Sequence, residues 1–125
     1  METRQYSVMI VEDEPVTAMG LQTRLRVQGH TVIGIAATGE EAFRMVKTEQ
    51  PDLVLLDVSL AGRVSGIDVA KRLRSQLPET PFAFLTATDA SEIHHQIAAL
   101  EPVAVLRKPL VADSRIQLAD GVLQL

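Results

Sequence analysis

Apolar residues in this chain fall into five short runs, separated by stretches whose hydrophobic spacing has a longer period. The runs "SVMIV" at 7–11, "TVIGIAA" at 31–37, "DLVLLD" at 52–57, "FAFLTA" at 82–87 and "VAVLR" at 103–107 are rich in Val, Ile and Leu. All but the second lack alternation with polar residues, as strands covered on both faces do. Between the runs the spacing is helical. Ala18, Leu21 and Leu25 follow Pro15, which suits a first helical turn, and Gly29 is placed to end that helix. Thr38 or Gly39 can cap a second helix with Ala42 and Val46 facing inward. Ile67, Ala70, Leu73 and Leu77 mark a third, stopped at Pro78, and Ile93, Ile97 and Leu100 a fourth, stopped at Pro102. Ile116, Ala119 and Leu123 predict a fifth, whose last turn Gly121 weakens.

Five strands, each followed by a helix, imply an α/β domain: a doubly wound five-stranded parallel sheet with helices on both faces, because parallel neighbours need a right-handed crossover. No repeat, low-complexity tract or linker interrupts the chain, so residues 1–125 read as one domain. In such sheets ligands bind outside the carboxyl ends of the strands, where strand order reverses. Glu12 and Asp13 end the first strand, Asp57 the third, Thr86 the fourth, and Arg107 and Lys108 the fifth.

Composition narrows the function class. With 46% hydrophobic and 22% charged residues the chain is an ordinary globular one, too apolar for disorder and too interrupted by charge for a membrane span. Twelve basic against sixteen acidic residues, net charge −4, leave no basic run to track a phosphate backbone, so no direct nucleic-acid contact is expected. The absence of cysteine removes disulfides, thiol chemistry and cysteine metal sites; "METRQYS" lacks a secretory apolar stretch, and a cytoplasmic setting is expected. His94 and His95 are adjacent, about 100° apart on a helix, and read as solvated rather than as ligands of one ion. Met1, Met9, Met19 and Met45 read as terminus or core.

Each residue at the carboxyl ends also has a structural reading. Asp13 or Glu14 could cap a helix before Pro15, Asp57 a turn; Thr86 could be a strand residue and Lys108 a solvated one. Convergence changes the balance. Two carboxylates about 5 Å apart repel by on the order of 3 kcal/mol at an effective dielectric near 20, a large term beside a domain stability of about 5–15 kcal/mol. Lys108 supplies one countercharge and a hard divalent cation another. Mg²⁺ prefers oxygen ligands and is typically held by one or two carboxylates together with phosphate oxygens.

The stretches "VEDEP", "PDLVLLDVSL", "FLTA" and "LRKPL" together resemble the receiver domain of two-component response regulators, over essentially the whole chain. The resemblance implies strand order 2-1-3-4-5 and a (βα)5 flavodoxin-like fold. It also implies a phosphorelay role, in which a histidine kinase or phosphotransfer protein donates a phosphoryl group to one aspartate. By position, Asp57 is the implied phosphoacceptor. Glu12, Asp13, Asp57 and the backbone carbonyl of Ser59 are the implied Mg²⁺ ligands, Thr86 the hydroxyl that closes on the phosphoryl group, and Lys108 its ammonium partner. The resemblance also implies that Ala87 leaves room beside Thr86 and that Pro109 shapes the turn through a cis bond. Such a domain switches its affinity for a partner rather than turning over a substrate. The aspartyl phosphate is a mixed anhydride, and the small neighbours Ser59 and Thr88 leave water a path to it, so moderate to fast self-dephosphorylation is expected. The first helix and the acidic loops would meet the kinase; the fourth and fifth helices with the strand between them would serve an output partner or a homodimer. A chain ending after the fifth helix fits a stand-alone regulator or a receiver cut from a longer protein.

Three positions depart from the family pattern. "VSLAGRVSG" carries Ala61 where a proline is usual and is one residue longer before Gly66, with Arg63 read as solvated. Val105 replaces the aromatic that commonly precedes the active-site lysine by three, so switching must use backbone motion of the loops after strands four and five. Leu110 replaces a usual Phe. Other classes fit less well: the acidic first loop would repel a flavin phosphate, no D-x-D pair closes the first strand as in haloacid dehalogenase phosphatases, and no P-loop stretch is present. A non-catalytic scaffold remains the alternative.

Overall fold

The computed structural model describes residues 2–60, 65–87 and 91–125, the side chains of residues 91–93 excepted. In chain order the elements are β1 (Ser7–Val11), α1 (Pro15–Val27), β2 (Thr31–Ala36), α2 (Gly39–Met45), β3 (Leu53–Asp57), α3 (Gly66–Gln76), β4 (Phe82–Thr86), α4 (Ser91–Ala99), β5 (Ala104–Arg107), β6 (Arg115–Leu118) and β7 (Gly121–Gln124). Strands β1 to β5 form one parallel sheet in the order β2-β1-β3-β4-β5, as the family resemblance implies.

Local chemistry explains where the helices begin and end. Pro15 occupies the first turn of α1, where a missing N–H costs nothing, and Gly29 leaves the helix at φ 88°, a conformation glycine adopts freely. Glu14 sits at the N-cap position without capping the helix through its side chain; its carboxylate instead accepts from the Thr17 hydroxyl. Thr38 accepts from the Glu41 N–H while the Glu41 carboxylate accepts from Ala37 N–H, a reciprocal pair that starts α2. Ser65 caps α3 by accepting from Asp68 N–H.

Alternate residues of the central strands face opposite sides of the sheet and build two cores. Met9, Val11, Val54, Leu56 and Phe84 pack with Phe43 of α2, Val69 and Leu73 of α3 and Ile97 of α4. Val8, Ile10, Leu53, Leu55 and Leu85 pack on the other side with Leu21 and Leu25 of α1. This two-sided burial is why β1, β3 and β4 read as unbroken apolar runs.

The expected fifth helix is absent. Residues 115–124 form an antiparallel hairpin, with Ile116 opposite Leu123 and Leu118 opposite Gly121. The segment "RIQLADGVLQL" alternates: Ile116, Leu118, Leu123 and Leu125 are buried, while Arg115, Gln117 and Ala119 are exposed. Ile116 and Leu123 satisfy both periods, but Ala119, the third helical anchor, lies in the turn. The hairpin takes the helix's place over the sheet, its buried residues joining the α1-side core. It is tied to the start of the chain: Arg4 N–H donates to Val122 O at 3.0 Å and Val122 N–H to Glu2 O at 3.0 Å. Gly121 allows this approach, since a Cβ there would lie 2.7 Å from both Arg4 Cδ and Tyr6 Oη.

His30, at the foot of β2, joins the two ends. Tyr6 N–H donates to its Nδ1 at 3.1 Å, and its Nε2 lies 2.8 Å from Gln124 O, so the ring is held with the proton on Nε2. The Tyr6 hydroxyl donates to Asp120 Oδ1 at 3.1 Å. Met9 and Met45 belong to the core as expected, but Met19 does not: its side chain is exposed on α1. Ala61, Arg63 and Thr88, to which the sequence reading assigned loop or lifetime roles, lie outside the described residues.

Candidate functional site

The carboxyl ends of β1, β3, β4 and β5 open on one shallow basin. Glu12 directly follows β1 and extends its ladder by one bond, its N–H donating to Ala36 O at 2.9 Å. Asp57 closes β3 in register with Leu85 of β4. Thr86 closes β4, buried, and its carbonyl accepts from Lys108 N–H at 2.9 Å, which fixes where the lysine leaves β5. The Lys108-Pro109 peptide is cis, as expected for this turn.

These four strand ends place a cation between acids. Lys108 Nζ donates to Asp57 Oδ2 at 2.7 Å and also to Glu12 Oε1. The other Asp57 oxygen, Oδ1, accepts from Ser59 N–H at 2.9 Å. Asp13 brings a third carboxylate, half-buried; one oxygen from each of Glu12, Asp13 and Asp57 lies within 4.8 Å of the others. Among the described residues, Glu12 Oε2 is buried without a hydrogen-bond partner.

Three carboxylates facing one ammonium leave the basin acidic. Burial first, and then the neighbouring carboxylate of Asp57, push the Glu12 carboxyl up to about 7, against the opposing pull of Lys108. Burial disfavours the charge on Lys108, but its hydrogen bonds to Asp57 and Glu12 outweigh that and hold it above the ordinary lysine range. The orphaned Glu12 oxygen and the all-oxygen donor set fit a hard divalent cation such as Mg²⁺, which would complete the coordination of a group that no protein donor satisfies.

The sequence reading thus named residues that folding brings together: Glu12, Asp13, Asp57 and Lys108 meet, and Thr86 stands at the adjacent strand end. Ser59 stands beside them, its N–H on Asp57 Oδ1. The acidic pair is unequal, Glu12 being 1% exposed and Asp13 half-buried, a difference two consecutive acids in a sequence do not reveal. The sequence marks Gly66 only as the end of a loop. A Cβ there would lie 2.0 Å from Asp57 O and 2.6 Å from Val58 O, so α3 can begin against the acceptor strand only with glycine. The signal available was "SG" directly before a helical period. Val105 is exposed on β5, and Leu110 packs against the α1-side core. His94 and His95 are exposed on α4, as expected of solvated residues.

The model for the response regulator receiver domain matches residues 8–119. Among curated proteins, the probable transcriptional regulatory protein TcrX of Mycobacterium tuberculosis is 41% identical over 86 residues, 69% of this chain and 36% of that protein. The transcriptional regulatory protein PdtaR of the same species is 34% identical over 102 residues, 82% of this chain and 49% of that one. The chain therefore spans between about a third and a half of these relatives. Among solved structures, the signal receiver domain of a modulated diguanylate cyclase from Desulfovibrio desulfuricans G20, described as an example of alternate folding, superposes with a TM-score of 0.78 at 32% identity. That likeness covers 86% of this chain and 85% of the other.

Proposed function

Because the chain belongs to the response regulator receiver domain family, we propose that it accepts a phosphoryl group on Asp57 from the phosphohistidine of a histidine kinase or phosphotransfer protein. The observation that carries this reading is Lys108 bridging Asp57 and Glu12 in a basin where Glu12 Oε2 has no protein partner. In the transfer, an Asp57 carboxylate oxygen forms a bond to phosphorus as the P–N bond to the donor imidazole breaks, and the product is an acyl phosphate. Ser59 N–H and Lys108 hold the two carboxylate oxygens, which orients the nucleophile. Lys108 then pairs with phosphoryl oxygens, and the Thr86 hydroxyl closes on them from the end of β4. Glu12, Asp13, Asp57 and the Ser59 carbonyl would hold Mg²⁺. When bound, Mg²⁺ neutralises charge developing on the phosphoryl oxygens.

The domain in this reading is a cytoplasmic signalling switch spanning residues 1–125, not a turnover enzyme. Among the described residues no helix is long and apolar enough to cross a membrane. The donor protein approaches across α1 and the loops at Glu14 and Lys108, where a groove of about 610 Å³ is floored by Leu21 and Leu85. The test is intact-mass analysis after incubation with a small phosphodonor and Mg²⁺. Wild type gains one phosphoryl group, Asp57→Asn gains none, and Lys108→Met reacts about 10²-fold more slowly. Equal labelling of wild type and Asp57→Asn would sink the assignment.

A further inference from the structure

No helix follows β5 to take up the backbone of the turn after Lys108. Residues 108–114 form neither helix nor strand, and the hairpin begins at Arg115. On its α1 side this turn borders open space. The groove of about 610 Å³ runs between Pro109 and Leu110 on one bank and Thr17 and Gly20 on the other, and a Cβ at Gly20 would meet nothing within 4 Å. Arg24 crosses from the helix to the turn. Its Nη2 donates to Val111 O at 2.5 Å and its Nη1 to Leu110 O at 3.5 Å. Ser114 Oγ donates to the same Val111 O at 2.8 Å, and Ser114 O in turn accepts from Leu125 N–H, just past β7, at 2.8 Å.

Charge pairing does not account for Arg24. Among the described residues it forms no ion pair with a carboxylate, and its Nε is buried without a hydrogen-bond partner. A guanidinium half-withdrawn from water with one donor unmet is costly to keep, and the two carbonyls offset that cost. Its planar fork, with several donors in fixed geometry, suits two successive carbonyls better than an ammonium would.

We infer that Arg24 is a positioning residue for Lys108: it holds the turn that follows the lysine against α1, so that the ammonium stays aimed at Asp57. On the strand side the Lys108 backbone is fixed by its N–H on Thr86 O. On the other side the chain passes through Pro109, which has no N–H to donate, to Leu110 and Val111, where Arg24 grips it. Lys108 is thus held from both directions, and its Nζ reaches Asp57 Oδ2 at 2.7 Å. With the clamp gone, Lys108 keeps its strand-side bond and Leu110 its packing on the α1-side core, so the ammonium is displaced rather than lost. The role rests on Asp57 being the phosphoacceptor with Lys108 beside it, and Arg24 performs it without touching the reacting atoms.

Kinetics and hydrogen exchange together test this role. A small phosphodonor is used, so that docking of a donor protein on α1 does not enter. Arg24→Met is expected to slow labelling about tenfold, short of the about 10²-fold expected of Lys108→Met. In the Lys108→Met background the same change is expected to slow labelling by less than about twofold, because no ammonium remains to be aimed. Without any phosphodonor, Arg24→Met should speed exchange of the Lys108 amide at least about tenfold, while the Val54 amide, bonded to Pro81 O, changes by less than about twofold. Ser114→Ala removes the other donor to Val111 O and leaves α1 intact; it should shift both readouts in the same direction, and it carries the test if Arg24→Met does not fold. No slowing in the wild-type background, equal slowing in both backgrounds, or an unchanged Lys108 amide would overturn the inference. If wild type and Asp57→Asn label alike, the phosphoacceptor reading fails, while exchange at Lys108 still decides whether Arg24 holds the turn.

Discussion

Glu12 offers a quantitative test, because its burial makes folding itself pH-dependent. In the unfolded chain it titrates near 4.5; in the folded protein burial and the neighbouring Asp57 push it up to about 7. Between those values the folded state holds a proton that the unfolded state has lost, so stability falls as pH rises. The contribution is fully present below about 4.5 and gone once pH has climbed through about 7. A displacement of about two and a half pH units, at about 1.4 kcal/mol each, is on the order of 3 kcal/mol. Chemical unfolding in the presence of a chelator, from pH 5 to pH 8, measures it. Other groups titrate in the same window, so the comparison is with Glu12→Gln, which keeps an acceptor for Lys108 but cannot ionise. The variant is expected to gain on wild type by on the order of 3 kcal/mol across the range, and saturating Mg²⁺ should remove most of the difference by stabilising the ionised form. Parallel stability profiles for the two proteins would refute the argument that Glu12 is a desolvated acid.

Three further outcomes follow from particular contacts. Gly66→Ala forces a Cβ into the Asp57 carbonyl at 2.0 Å, so it should lower unfolding free energy by about 2 kcal/mol or more and slow phosphorylation by displacing the acceptor. His30→Leu strands the buried Tyr6 N–H and the part-buried Gln124 O, and is expected to lower stability to urea by about 1–3 kcal/mol. For the C-terminal segment, Leu118→Asp should unfold the hairpin's cover while Ala119→Asp changes stability by less than about 0.5 kcal/mol, since Leu118 is buried and Ala119 exposed. A helix with Ala119 inward would instead make Ala119→Asp costly.

That last pair marks where reading the chain succeeded and where it stopped. The five strands and first four helices were legible because each has one dominant signal: unbroken apolar runs for β1, β3 and β4, and Pro, Gly, Thr or Ser at the helix ends. Residues 115–124 carry two signals. Ile116 and Leu123 fit a helix and a hairpin alike, and only Leu118, with Asp120-Gly121 at the turn, decides between them. The choice rests on partners far away in sequence, Arg4, Tyr6 and His30, which receive the hairpin and have no counterpart in its local spacing.

The site divides the same way. Residue types and order alone determined that an acidic pair, a lone aspartate, a threonine and a lysine would stand at consecutive strand ends, because parallel strands entering one sheet deliver their C-termini to one edge. Only tertiary structure decided how unequal those groups are: Glu12 sealed from water with one oxygen unanswered, Asp13 half-open, Asp57 held on both oxygens. Burial and hydrogen-bond partners set the energy of a charge, and both are properties of the packed chain rather than of any residue in it.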